Sequence, residues 1–179
     1  MDVNELVQTV FSGLSPLVME DVADEGERIV VRARTPQDTA VCPACGASSE
    51  RVHGYHWRTV ADVPVDGRRV VVRVRVRRLV CPTRGCHHTF REQVPGVLER
   101  YQRRTARLNR QVKAVVKELA GRAGARLLAI LAVGLSRHTA LRALLRILLP
   151  TGRVPRVIGV DYFALRRRHR YAHDRRREP

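Results

Sequence analysis

Four cysteines fall in two close pairs, Cys42-Pro-Ala-Cys45 and Cys81-Pro-Thr-Arg-Gly-Cys86, in a chain of 179 residues that holds no other cysteine. Each first cysteine precedes a proline, and Gly46 and Gly85 offer the tight turns of zinc knuckles. Two such pairs can supply the four thiolates of a tetrahedral Zn²⁺ site, with each sulfur about 2.3 Å from the metal and no large core required. The 35 residues between Cys45 and Cys81 exceed the usual spacer, but they contain a hairpin pattern whose ends would bring the knuckles together. A disulfide pair, a redox Cys-x-x-Cys and idle thiols compete with this reading. The first wants a secretory leader, which MDVNELVQTVFSGLS does not resemble, and the second leaves Cys81 and Cys86 unexplained. His87 and His88 stand next to Cys86 as substitute ligands, while His53 and His56 read as ordinary strand residues. With four thiolates the metal has no open position, so its role is structural.

Cations form the second chemical feature. The chain carries 34 Lys and Arg against 17 Asp and Glu, a formal +17. Residues 1–66 hold 5 Arg and 11 acids, a formal −6, whereas residues 67–179 hold the other 29 cations and 6 acids, a formal +23. A GC-rich genome explains why 32 of the cations are Arg, but not their excess over acids. Segregation of this kind points to a polyanion, with double-stranded DNA as the expected partner. Two segments concentrate the charge. Residues 102–120 place Leu108, Val112, Val115, Val116 and Leu119 on a helical spacing, with Arg103, Arg104, Arg107 and Arg110 available for phosphates. Residues 121–149 have helix-turn-helix proportions: a helix to about Ala132, a stop at Gly134, and a helix from a Ser136 cap through Leu148. In such a unit Ser136, Arg137, His138, Thr139 and Arg142 occupy the positions that meet DNA, since arginine grips guanine O6 and N7 with two bonds. A plain helical hairpin with solvated arginines is the competing reading.

These residues need elements to hold them. Val70, Val72, Val74 and Val76 alternate with Val71, Arg73, Arg75 and Arg77, a strand with one apolar and one largely cationic face, so Arg73 and Arg75 join the candidate contacts. Asp66-Gly67 predicts a hairpin pairing it with residues 58–63, and Pro64 implies an edge or an early stop. Residues 17–34 read as two strands around Asp24-Glu25-Gly26. PTGRVP at 150–155 is a break, RVIGVDYFAL at 156–165 a buried strand, and the polar tail from Arg166 a disordered segment. The expected fold class is multi-domain α+β. Its parts are an N-terminal β segment (1–36), a Cys₄ zinc ribbon (37–95), a basic helix plus helix-turn-helix domain (96–150), and a C-terminal strand with a basic tail (151–179). No run of about 20 apolar residues exists, so no membrane role is expected, and a cytoplasmic, nucleoid-associated protein is.

A Cys₄ ribbon, a basic connector, a helix-turn-helix and a strand ending in Asp occur in an order that resembles the N-terminal part of bacterial insertion-sequence transposases of the ISL group. The pieces that carry the likeness are CPACG at 42–46, VHGYHWRTVADVPVDGRRVVVRVRVRRLVCPTRGC at 52–86, ELAGRAGARLLAILAVGLSRHTALRALLR at 118–146 and VIGVDYFALRRRHRY at 157–171. The resemblance implies domains that bind the element's terminal inverted repeats, followed by an RNase H-like domain of the DDE type that uses two divalent metals. Homodimerisation, or pairing with an intact transposase, fits the same picture. Asp161 would match the first catalytic carboxylate, with Mg²⁺ held only in an intact family member. Tyr162 stands where the family commonly has a second acid, and the second Asp and the Glu have no counterpart, Asp174 and Glu178 being poor substitutes in a polar tail. A lone carboxylate cannot organise two metals. The expectation is therefore a truncated, catalytically inactive transposase product that binds DNA. A dedicated DNA-binding repressor and a zinc-ribbon RNA-binding protein are the rivals.

Overall fold

The computed structural model describes residues 3–148, 158–166 and 170–177, the last two stretches by secondary structure and register. They fall into two units, Met1–Arg146 and Ile147–Pro179. The first unit starts with a helix, α1 (Val3–Val10), where the sequence pattern suggested only β structure. Val7 and Phe11 lie four residues apart on one helical face, and both pack on the sheet with Leu14 and Leu17. That apolar spacing outweighs the β preference of the valines.

Strands β1 (Val18–Asp24) and β2 (Arg28–Arg34) form the expected hairpin around Asp24-Glu25-Gly26, with Gly26 at φ +76°. A short ribbon follows, β3 (Ala40–Val41) against β4 (Ser48–Ser49). The long hairpin β5 (Val52–Val65) and β6 (Arg68–Val80) turns at Asp66-Gly67, both residues with positive φ as a tight hairpin turn demands. β5 begins six residues earlier than the pattern suggested and runs through Pro64, which a register irregularity between Asp62 and Val65 accommodates at the sheet edge. β7 (Thr89–Arg91) pairs with the end of β6. The sheet order is β1-β2-β6-β5, with β2 and β6 parallel. One face buries Ile29, Val31, Ala33, Val60, Val70, Val72, Val74 and Val76 under Phe11, Leu14, Val94, Val97 and Leu98. The alternation read from the sequence thus points its valines inward.

α2 (Ala106–Ile130) is broken at Ala120, whose φ of 55° and ψ of −159° end one limb and start another. Thr105 caps its start, accepting from the Leu108 amide at 3.3 Å. Gly124 is buried where the limbs meet, and a Cβ there would make an ordinary contact 3.4 Å from Val116 Cγ1. α3 (Arg137–Leu145) is capped by Ser136, which accepts from the Thr139 amide at 3.2 Å, and it stops three residues before the expected Leu148. Leu108, Val112, Val116, Leu128, Val133 and Ala140 form the core of this helical body. The stop between the last two helices differs from expectation. Ala132 takes the left-handed conformation at φ 59°, while the Val133 amide returns to Leu128 O at 2.7 Å and the Ala132 amide to Ala129 O at 3.1 Å. This is a Schellman closure with Val133 packed on Leu128, and it places the turn two residues before Gly134.

The helical body is fastened to the sheet by one buried carboxylate. Asp62 on β5 accepts from Thr105 Oγ1 at 2.6 Å, from Arg107 Nε at 2.8 Å and from Arg107 Nη2. Backbone bonds run beside it, Thr105 N to Ala61 O and Ala61 N to Arg103 O, both 2.9 Å.

The second unit is an antiparallel hairpin of β8 (Ile158–Arg166) and β9 (Arg170–Arg177). Its second strand replaces the disordered tail expected from composition: a ladder is made of backbone groups, which polar residues possess as fully as apolar ones. The described residues of this unit contain no further strand of an RNase H-like sheet, and the break at 150–155 lies outside the described residues.

Candidate metal centre and nucleic-acid interface

Each cysteine pair sits at the turn of a short antiparallel pair of strands. Cys42 and Cys45 follow β3 and precede β4; Cys81 and Cys86 follow β6 and precede β7. Backbone bonds shape the turns: Cys42 N to Ala47 O at 2.8 Å, Gly46 N to Cys42 O at 2.9 Å, Cys81 N to His88 O at 2.9 Å and Cys86 N to Thr83 O at 3.1 Å. Gly46 and Gly85 lie at φ +76° and +87°, which explains glycine at both places. The two turns meet because Ser49 Oγ donates to Val80 O at 2.6 Å and Val80 N donates to Arg51 O at 2.9 Å.

All four sulfurs lie within 4.8 Å of one another, with Cys42 and Cys86 at 3.9 Å and Cys45 and Cys81 at 3.4 Å. A tetrahedron of sulfurs about 2.3 Å from zinc has edges of about 3.8 Å, so the cluster fits the ion with small adjustments. Cys42, Cys45, Cys81 and Cys86 are a zinc-binding site in a zinc-ribbon domain. His87 and His88 are not among the clustered ligand atoms. The thiols are inequivalent. The Ala47 amide, helped by Cys81 and Thr83, draws Cys45 down to about 6. At Cys86 the His88 amide pulls downward, but burial and the neighbouring thiols outweigh it and push the group up to about 12. Zinc must therefore displace protons to take this site.

A buried ion pair braces the ribbon against the sheet. Arg77 Nε and Nη2 meet Glu92 Oε2 and Oε1 at 3.0 and 2.6 Å, and Nη2 also donates to Asp38 O at 2.5 Å. The Glu92 carboxylate raises the pKa of this guanidinium.

The candidate DNA residues do not all come together. Arg103, Arg104, Ser136, Thr139 and Arg142 line one groove of about 700 Å³ between the start of α2 and the N-terminus of α3. Lys113 and Arg146, which sequence reasoning missed, complete its cations; Arg146 lies one helical turn beyond Arg142, the spacing that could have revealed it. The lining contains no acidic residue. Asn109 accepts from Arg104 Nε at 3.0 Å and donates to Gln102 Oε1 at 2.7 Å, fixing the groove floor. Burial, and then the charge of Arg146, lower the pKa of Arg104. Cations held together without a carboxylate favour an incoming anion. Arg137 and His138 are exposed beside the groove, the Arg137 Nε donating to His138 Nε2 at 3.4 Å, and Arg110 is exposed on α2. Arg107 departs from expectation: it is turned inward onto Asp62, because a buried carboxylate needs a paired cation. Arg73 and Arg75 lie on the outer face of the sheet, over Trp57 and Tyr55. Asp161 lies on β8 opposite Asp174 on β9.

Residues 38–86 match the family described as the zinc-finger of transposase IS204/IS1001/IS1096/IS1165. A curated relative, the transposase for insertion sequence element IS1001 of Bordetella parapertussis, is 31% identical over 156 residues, covering 83% of this chain. The chain spans 36% of that protein's length. No solved structure matches the chain. Among the described residues no helix is long and apolar enough to cross a membrane.

Proposed function

We propose, for a chain that belongs with the zinc-ribbon insertion-sequence transposases of the IS1001 type, that these residues recognise the element's terminal inverted repeats as duplex DNA. The observation that carries the reading is the groove lined by Arg103, Arg104, Lys113, Arg142 and Arg146 without any carboxylate. The helices beside it act as a helix-turn-helix. The second limb of α2 and α3 share the Leu128, Val133 and Ala140 core, and α3 presents its N-terminus to the DNA. A helix N-terminus and guanidinium groups suit phosphate, so the groove holds the backbone while Arg137, His138 and Arg142 lie closest to base edges. Zinc acts as a staple for the ribbon. Its distance from the groove in the chain is bridged by the sheet and by the Asp62 junction, so metal supports DNA binding through folding alone.

Asp161 is proposed as the first carboxylate of a DDE-type site, by position on β8. One carboxylate cannot organise two divalent ions, so residues 1–179 are proposed to bind ends without cutting them. The test is competition binding of zinc-loaded chain to labelled terminal-repeat duplex against random duplex, with a strand-cleavage assay in Mg²⁺ or Mn²⁺ alongside. Preference for the repeat, lost in R142A and after chelation, supports the reading. Equal competition by random duplex removes sequence recognition, and specific nicking removes the assignment of inactivity.

A further inference from the structure

The sheet has two faces, and only one is used by the core. On the other, Tyr55 and Trp57 of β5 remain 62% and 49% exposed, although both are large apolar side chains. They lie two residues apart on the edge strand, with Thr59 and Ala61 continuing the same face. The adjoining strands contribute arginines in register. Arg32 and Arg73 fall in a row with Thr59, and Arg34 and Arg75 in a row with Trp57. Guanidinium groups stand over both rings, Arg73 at 5.8 Å from the Trp57 centroid and Arg75 at 5.3 Å from that of Tyr55.

Acids offset part of this charge. Asp21 pairs with Arg32 at 2.8 Å, and Glu20 with Arg75 at 2.8 Å and Arg34 at 3.5 Å. Arg73 makes no ion pair among the described residues, and Arg69 of the same face stands against Gly134. The face keeps an excess of cations interleaved with exposed rings. We propose that Tyr55 and Trp57, with Arg73 and Arg75, form a stacking platform for unpaired nucleotides, distinct from the groove at α3.

Three observations favour that ligand. Residues two apart on a strand are about 6.6–6.8 Å apart, twice the 3.4 Å rise of stacked bases, so the two rings keep step with a single strand of nucleotides. A duplex hides its base faces within the stack, whereas unpaired bases offer a π-face to an aromatic ring whatever their sequence. The surplus guanidinium charge of β2 and β6 matches a phosphate backbone lying across this exposed face. At the end of a mobile element, strands that separate before joining would supply such nucleotides, and single-stranded RNA carries the same chemistry.

Trp57 is the sole tryptophan, so its fluorescence reports on this surface alone. The experiment titrates the zinc-loaded full chain with oligothymidylate and oligouridylate of about 12 nucleotides and with a closed-ended duplex. Quenching by the single strands and little by the duplex is expected; the stronger quencher identifies DNA or RNA as the source. In anisotropy assays with labelled single strand, W57A and Y55A should each weaken binding by about tenfold or more, with W57F recovering most of it. The same variants should leave repeat-duplex affinity unchanged, and R104A should do the reverse, which separates failure here from failure of the duplex reading. Absent quenching, or W57A binding single strands as well as wild type, overturns the proposal; a face that serves a protein neighbour would give that result.

Discussion

Replacing Asp62 by alanine removes the buried carboxylate at the junction between sheet and helical body, and the structure sets the size of the effect. The side chain is fully buried and accepts three hydrogen bonds, one from Thr105 and two from Arg107. Breaking one side of a buried pair costs about 3–5 kcal/mol, because the remaining charge is left uncompensated. Arg107 keeps 24% of its side chain exposed and can turn part of its guanidinium to water, which favours the lower end, about 3 kcal/mol. That is roughly a hundredfold in the folding equilibrium and a large part of the stability of a small domain. With a urea slope of about 2 kcal/mol per molar, the midpoint of zinc-loaded protein should fall by about 1.5 M. D62N keeps an acceptor for Thr105 and should lose less. The double variant D62A/R107A should lose less than the sum of its singles, since it leaves no orphaned cation. Chemical denaturation followed by circular dichroism measures all three. A midpoint for D62A within about 0.2 M of wild type, at unchanged slope, would refute the junction as described.

Other expectations are direct. R104A and R146A should each lower the slope of log affinity against log salt for duplex DNA by about one, whereas R107A, whose charge is committed to Asp62, should leave it nearly unchanged. Zinc affinity, read by competition with a chromogenic chelator, should rise with pH across about 5 to 8. Cys86, pushed up to about 12, stays protonated across that range, so zinc must release its proton, and that release grows more favourable as the proton concentration falls. C81S should lose zinc and ribbon order together; retained stoichiometric zinc would count against a four-sulfur site. A132G should raise stability by about 1 kcal/mol, since Ala132 pays a left-handed penalty that glycine avoids, and thermal denaturation reads the shift.

How much of this was legible in the residues depends on how local the signal is. The metal ligands were, because thiolate pairs with a turn glycine between short strands have few other uses, and the sulfurs do converge. The valine–arginine alternation of β6 was legible for the same reason: a period of two has one structural meaning. The arginines were harder. Arg107 and Arg103 look alike in sequence, yet one meets a buried carboxylate 45 residues away and the other lines the groove. Arg77 continues the cationic face of β6 but is buried against Glu92, a partner set by the path of the chain after β7. The break at Ala120 falls where the sequence pattern divides, between residues 102–120 and 121–149, and Gly121, a poor helix former, follows it directly. Tyr55 and Trp57 were overlooked because the Asp66-Gly67 turn signal fixes where β5 ends and says little about where it starts.

The central claim is that these residues read the ends of an insertion element through the groove at α3. Footprinting of zinc-loaded chain on DNA spanning an element terminus tests it most directly. Protection of one face of the terminal repeat, in blocks about one helical turn apart and absent with R104A/R142A, is the predicted result. Uniform protection along repeat and flank alike, or a footprint unchanged by R104A/R142A, would contradict it.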